Sequence, residues 1–494
     1  MLLLGIDLGT SSIKVSVIDA DSQQVLASVQ YPDEENPVIA LKTGWAEQSP
    51  DTWWQHVQQA ILRANATGRY NPKDIAAIGI AYQMHGLVMV DKQQKVLRNS
   101  IIWCDSRAVS IGDRAFDKIG KKKSLSHLLN SPGNFTASKL AWVKENEPSV
   151  YKKADKIMLP GDFIAMKLTG NTTTSISALS EGIFWDFKKE RLSKDVFDYY
   201  GFDKEIIPEI QPVFSSHGSV SKEVAEALSL KEGIAVTYKA GDQPNNALSL
   251  NVLEPGEVAA TAGTSGVIYG VSDQLTYDPQ SRVNTFAHVN HTNEKIRTGV
   301  LLCINGTGIL NRWVRDRFSP AKKYDEINKE AAEAAIGCDG LRVLPFGNGA
   351  ERMLNNRLTG AHFLNLDLNH HKDRDIFRAA QEGIAYSFRY GLDIMRENGM
   401  NPKLIRAGKA NMFLSPLFAE AFTNITNCTV ELYNTDGSVG AARGAGLGLR
   451  HYKNYKDAFS GMEKLSVLKP EKKKKQAYEE VYQLWKNDLG RIIQ

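Results

Sequence analysis

The chain has 494 residues, with 60 basic and 56 acidic side chains and a formal net charge of +4. Hydrophobic residues make up 42% and charged residues 23%, a globular balance that excludes wholesale disorder, and the length implies about two large domains. No stretch approaches the roughly 18–20 apolar residues of a membrane span, which excludes a membrane protein, and the near-neutral charge gives nucleic acid no broad footprint.

At the N-terminus, Leu2–Leu4 and Ile6 form an apolar run. It is too short for a signal peptide's h-region of roughly 7–15 residues, and no basic segment precedes it. The four cysteines (Cys104, Cys303, Cys338, Cys428) form no CxxC pair and no zinc spacing, so a cytoplasmic location with free thiols is expected. The apolar run reads as a strand. Gly9-Thr10-Ser11-Ser12 turns, Val15, Val17 and Ile18 begin a second strand, and Asp19–Ser22 turns again into Val25–Val29. Three antiparallel strands at the start do not suit a dinucleotide-binding fold, whose first strand feeds a helix.

Ser49-Pro50-Asp51 then opens a helix, with proline and an acidic residue in its first turn. Ile75–Ala81 is a short, fully apolar strand, and Tyr82-Gln83-Met84-His85-Gly86 follows at its carboxyl end. Ser100–Ile102 is another, followed by Trp103-Cys104-Asp105-Ser106-Arg107. The lysine runs 121–123 and 472–475 lack interleaved aromatics and read as solvated surface. Ile234–Thr237 leads into Ala240-Gly241-Asp242-Gln243-Pro244-Asn245-Asn246. Next, Glu257–Tyr269 repeats the opening: apolar strand, Gly263-Thr264-Ser265 turn, apolar strand. The two Gly-Thr-Ser turns lie about half the chain apart, as two diverged copies of one domain would place them, joined near 241–253. Gly444-Ala-Gly446-Leu-Gly448 reads as close helix packing, and the segment from Lys472 is a helix with Tyr478, Val481, Tyr482, Trp485, Leu489 and Ile492 on one face.

The chain has no P-loop, no GxGxxG after a strand, no HExxH and no GxSxG elbow. Its candidate chemistry lies in the turns. Two hairpins rich in Gly, Thr and Ser offer backbone N–H groups and hydroxyls to phosphates, although each alone also fits a plain turn. Asp7, at the end of the first strand, is suited to holding Mg²⁺. Gln83, Met84 and His85 sit where α/β sheets bind ligands and suit a sugar; a structural histidine is the alternative. Trp103, Asp105 and Arg107 offer a stacking face and hydrogen bonds, or else a buried salt bridge. Asp242 is placed to accept a hydroxyl proton, or simply to start a turn.

Taken in order, Asp7-Leu-Gly-Thr-Ser, Gln83-Met-His-Gly, Trp103-x-Asp105-x-Arg107, Gly241-Asp242 and Gly263-Thr-Ser-Gly resemble the FGGY family of carbohydrate kinases from Gly5 to about Gly446. The resemblance implies an α/β fold of two actin-like, ribonuclease-H-like domains, each with a central five-stranded mixed sheet flanked by helices. It implies an N-terminal sugar-binding domain over 1–246 and a C-terminal nucleotide-binding domain over 247–494, with ATP and Mg²⁺ at the cleft between them. By the same resemblance Asp242 is the catalytic base, and Asp7 and Asp242 hold the metal. The sugar falls to Gln83, Met84, His85, Trp103, Asp105 and Asn246. The nucleotide falls to Thr10, Ser11, Lys14, Gly263, Thr264, Gly308, Arg312, Gly408 and Asn411.

Three departures stand out. The family's Gly-Gly-Gly-Ala adenosine segment is Ala407-Gly408-Lys409-Ala410 here, its Gly-Glu-Arg-x-Pro segment is Ala350-Glu351-Arg352-Met353 without the proline, and Gln243 follows Asp242 where many pentulose kinases have Asn. The Gln-Met-His-Gly segment is similar to that of family members acting on D-xylulose. The expected reaction is therefore transfer of the γ-phosphoryl group of ATP to the terminal hydroxyl of a ketopentose, D-xylulose giving its 5-phosphate. The alternatives are another acceptor of the family (ribulose, rhamnulose, gluconate or a polyol) and a non-metabolic actin-like ATPase. Expected partners are a small-molecule sugar and ATP, with no nucleic acid and no membrane, and a homodimer is the assembly to test.

Overall fold

The computed structural model describes residues 1–493. Apolar alternation in the opening segment yields strands Leu2–Leu8, Ile13–Asp19 and Val25–Tyr31, paired antiparallel in sequence. Ile75–Tyr82 and Ala235–Gly241 add in parallel on the other side of the first strand, completing a five-stranded sheet. The first-turn proline and the Ser49 side chain, which accepts the Thr52 N–H, start the helix Pro50–Ala66 where the sequence places it.

The second half repeats this plan. Glu257–Ala262, Gly266–Ser272 and Thr298–Ile304 run antiparallel in sequence, and Leu404–Gly408 and Thr429–Tyr433 add in parallel beside the first of them. Both sheets thus share the strand order 3-2-1-4-5, so the repeated Gly-Thr-Ser turn sits at the same place in a repeated topology. The second sheet does not stop at the five strands that the resemblance implies. Asn284–Ala287 pairs on one edge and Lys464–Leu468 on the other, giving seven.

Two helices join the halves. Asp242–Ser249 leaves the last strand of the first sheet, and Gly437–Gly448 returns from the second half to lie across the first sheet. The glycines of the first sheet let it approach. Gly5 and Gly79 are register partners, and a Cβ on either would collide with the returning helix's backbone, at Ser438 or at Ala441. The terminal helix Lys472–Ile492 buries Tyr478, Tyr482, Trp485 and Leu489 against the second half, while Val481 and Ile492 pack at its margin. No helix among the described residues is long and apolar enough to cross a membrane.

Candidate active site

Strand register sets the site. Asp7 is level with Ala81, and Gly241 with Tyr82, so Asp7, Met84–His85 and Asp242 all gather at the carboxyl ends of three parallel strands. Asp242 is the first residue of the helix Asp242–Ser249. Burial and then the nearby charge of Asp7 push its carboxyl up to about 7. Burial and then Asp436 push Asp7 up to about 6, against the opposing pull of Lys14. Asp7 also lies directly against Gly437, at the start of the returning helix, where any side chain would overlap its carboxylate.

The first hairpin is tied to its surroundings by hydroxyl and amide groups. Trp103 Nε1 donates to Thr10 Oγ1 at 2.9 Å, and Thr10 Oγ1 donates to Gln83 Oε1 at 3.2 Å. Gln83 Nε2 donates to Gln48 Oε1 at 3.1 Å, and Gln48 Nε2 returns to the Thr10 carbonyl at 2.8 Å. Ser11 is exposed at the tip of the turn. Lys14 pairs with Asp436 across the two halves, and with Ser438 and Val439 it holds that carboxyl below its usual range despite burial.

Two of the residues assigned to sugar are occupied elsewhere. Gln83 is 2% exposed, and both ends of its amide brace the hairpin. Asp105 is fully buried, accepting from Ala46 N at 2.6 Å and from Arg107 N and Nε at 2.8 and 2.9 Å; it is the buried salt bridge that its motif also allowed. Asn246 donates to Thr261 Oγ1 at 3.2 Å, joining the two halves. Trp103 keeps an open face, with 53% of its surface exposed. Met84 and His85 remain at the site.

His85 takes a left-handed backbone conformation (φ 62°), and its ring packs on Phe135 and Phe286 at centroid distances of 4.8 and 5.4 Å. Burial and then Lys139 hold the imidazole well below its ordinary pKa, so it is neutral. Sequence reasoning missed three residues here and gave no role to a fourth, Arg352, which it met only in the altered Gly-Glu-Arg-x-Pro segment. Glu181, the last residue of the helix Ile176–Glu181, accepts the His85 N–H at 2.7 Å. Lys139 donates to the carbonyls of His85 and Ile102, both at 2.9 Å, and burial lowers it to about 7. Phe286 and Arg352 come from the second half, and Arg352 lies over Phe135 with Asn284 as its hydrogen-bond partner. Of the other three, only Lys139 carried a sequence signal, since it shares a helix face with Thr136, Leu140 and Val143, all buried.

On the second half, Gly308 N donates to the Gly263 carbonyl at 2.8 Å, docking the second hairpin on the helix Gly308–Phe318. Beside it a cavity of about 320 Å³ is lined by Gly263, Thr264, Gly308, Arg312, Asn411 and Leu414, among others. Five residues assigned to nucleotide therefore share one cavity. Gly408 lies outside its lining, at the end of the strand Leu404–Gly408. The altered segment leaves the cavity open, because Ala407 packs into the core and Lys409 points to solvent.

Residues 2–249 match the model of the N-terminal domain of the FGGY family of carbohydrate kinases, and residues 258–448 match that of its C-terminal domain. The chain is 28% identical over 442 residues to the xylulose kinase of Haemophilus influenzae, covering 87% of each protein. It is 28% identical over 498 residues to the xylulose kinase of Bacillus subtilis, covering 98% of this chain and 96% of that one. Among solved structures, the ligand-bound xylulose kinase of Lactobacillus acidophilus superposes with a TM-score of 0.89 at 23% identity, over 99% of this chain and 98% of that one. The gluconate kinase of the same organism superposes with a TM-score of 0.88 at 23% identity, over 100% and 98%. At these identities the superpositions speak for the fold alone.

Proposed function

Because the chain belongs to the FGGY family of carbohydrate kinases, we propose that it transfers the γ-phosphoryl group of ATP to the terminal hydroxyl of a ketopentose, D-xylulose giving D-xylulose 5-phosphate. The observation that carries this reading is Asp242, a desolvated carboxyl raised to about 7, set between the sugar candidates Met84 and His85 and the Asp7 carboxyl. The xylulose kinase relatives support the acceptor. The reading takes lobes 1–246 and 247–494 and a cytoplasmic enzyme with a sugar and ATP as its small-molecule partners.

In this mechanism Asp242 accepts the hydroxyl proton as the oxygen attacks phosphorus. A carboxyl near pKa 7 is partly ionised at neutral pH and is a stronger base than one near 4. The Thr10 N–H, the Ser11 N–H and hydroxyl, and the Gly263–Thr264 turn would face the phosphates from opposite halves, the Thr10 hydroxyl being held by Gln83. The adenosine moiety occupies the cavity beside Gly308, Arg312 and Asn411. Asp7 and Asp242 would hold Mg²⁺: two desolvated carboxyls that repel one another are a fitting donor pair for a divalent cation. When bound, the ion neutralises charge on the phosphates. Trp103 and Thr10 close the first half's side of the cleft, and exclusion of water favours the sugar as acceptor.

The test is ATP consumption by the purified protein over about a dozen ketoses, polyols and sugar acids, with a no-sugar control. D-Xylulose is expected to give the highest kcat/KM. A higher value for gluconate or a polyol would replace the acceptor but retain the kinase, and consumption that no sugar stimulates would refute the reaction.

A further inference from the structure

We propose that Glu181 is a sugar-recognition residue, which together with His85 takes one hydroxyl of the acceptor and sets the choice among ketopentoses. This rests on the kinase reading above and names a residue that the motifs do not include. Glu181 is 1% exposed, and its two oxygens differ in use. Oε1 accepts the His85 N–H at 2.7 Å, while Oε2 has no hydrogen-bond partner. His85 Nδ1, 3.8 Å from Oε1, has none either. Buried polar atoms are as a rule hydrogen-bonded, so two facing atoms left without partners call for one.

The free oxygen has a definite direction. A Cβ built on Gly241 would stand 2.8 Å from Glu181 Oε2 and 2.7 Å from Met84 Cγ, so Oε2 lies against the backbone one residue before Asp242. Any side chain at Gly241 would therefore collide with both Met84 and the carboxyl, which holds all three in close contact beside Asp242. A hydroxyl matches the pair chemically because it both donates and accepts: burial pushes the Glu181 carboxyl well above its usual range, so Oε2 can carry the proton and donate to the hydroxyl oxygen, while the hydroxyl O–H donates to the unprotonated Nδ1 of neutral His85. A site built to bond a hydroxyl rejects an acceptor that presents it in the wrong configuration, because its own buried groups are then left unpaired. Glu181 is thus suited to separating D-xylulose from an epimer that differs at one carbon.

The experiment compares the wild type with Glu181→Ala and Glu181→Gln, using D-xylulose and D-ribulose as probes. Loss of a hydrogen bond to a charged or buried group predicts a KM for D-xylulose about 10–100-fold higher in Glu181→Ala. The kcat and the KM for ATP are expected to stay within about threefold, and the D-xylulose/D-ribulose ratio of kcat/KM to fall at least about fivefold. Unchanged sugar KM and ratio, or a sugar KM that rises only in parallel with that for ATP, would overturn the proposal. Should the alanine variant fail to fold, Glu181→Gln decides. It keeps an oxygen for the His85 N–H and a donor in place of the protonated Oε2, so a KM and ratio there that depart from the wild type as far as those expected for the alanine variant would overturn the proposal. If the wild type prefers some other acceptor, the ketopentose reading falls, and the same split measured on that acceptor still tests Glu181.

Discussion

Asp242→Asn is expected to lower kcat by about 10²–10⁴-fold while leaving nucleotide and sugar binding in place, the usual contribution of a positioned general base. The substitution keeps the size of the side chain and its place at the start of the helix Asp242–Ser249, and it removes only the proton acceptor. Phosphoryl transfer has a loose transition state, so positioning and charge neutralisation retain part of the rate. The same variant carries a stability signature of opposite sign. In the unfolded chain the Asp242 carboxyl titrates near 3.8, whereas in the folded protein burial, and then Asp7, hold it at about 7. Between these values the folded state binds a proton that the unfolded state has released, so this group makes stability fall as pH rises. Asparagine does not titrate. In the absence of divalent cations Asp242→Asn is expected to melt at least about 2 °C above the wild type at pH 8, with the difference vanishing near pH 4. Near-normal turnover would remove Asp242 from the mechanism, and a lower melting temperature at pH 8 would contradict its desolvation.

Gly79→Ala is expected to be strongly destabilising although it adds a single methyl. Volume added to a close-packed interface costs typically 1–3 kcal/mol, and a clash with backbone rather than with a flexible side chain belongs at or above the top of that range, about 3 kcal/mol. A Cβ on Gly79 meets the Ala441 carbonyl, and its register partner Gly5 meets that of Ser438 in the same way. The helix cannot yield without moving Gly437 away from Asp7 and stretching the Lys14–Asp436 pair. A fall in melting temperature of about 3 °C or more, with loss of activity at temperatures where the protein is still folded, is therefore expected. Gly490→Ala is the control, since a Cβ there meets nothing within 4 Å. Equal melting temperatures for the two variants would contradict the packing described for the returning helix.

The parts of this molecule that were legible in its sequence are those specified locally. The two hairpins follow from apolar runs broken by Gly-Thr-Ser, and the strand order gives them equivalent places in the two sheets. Asp7 and Asp242 stand at strand ends, a position that alternation reveals. Orientation beyond a strand end is not revealed in this way. Gln83, Met84 and Asp105 all follow apolar strands, yet Met84 faces Gly241 while Gln83 and Asp105 turn toward bracing partners in other segments. Those partners, Gln48 and Ala46, lie tens of residues away in the chain. Glu181 was illegible for the same reason, because its role comes from a hydrogen bond to His85 across 96 residues. The extra strands Asn284–Ala287 and Lys464–Leu468 are short edge elements whose pairing supplies most of their definition, and a pattern read along the chain does not contain it.

The central claim is phosphoryl transfer to the terminal hydroxyl of a ketopentose, and the most direct test is the identity of the product. Purified protein, ATP, Mg²⁺ and D-xylulose should yield ADP and sugar phosphate in equal amounts, and phosphorus and carbon NMR should place the phosphate on the C5 oxygen. Asp242→Asn under the same conditions should form that product at least about a hundredfold more slowly. Release of ADP with inorganic phosphate and no sugar phosphate, or a phosphate carried on any other oxygen, would contradict the account.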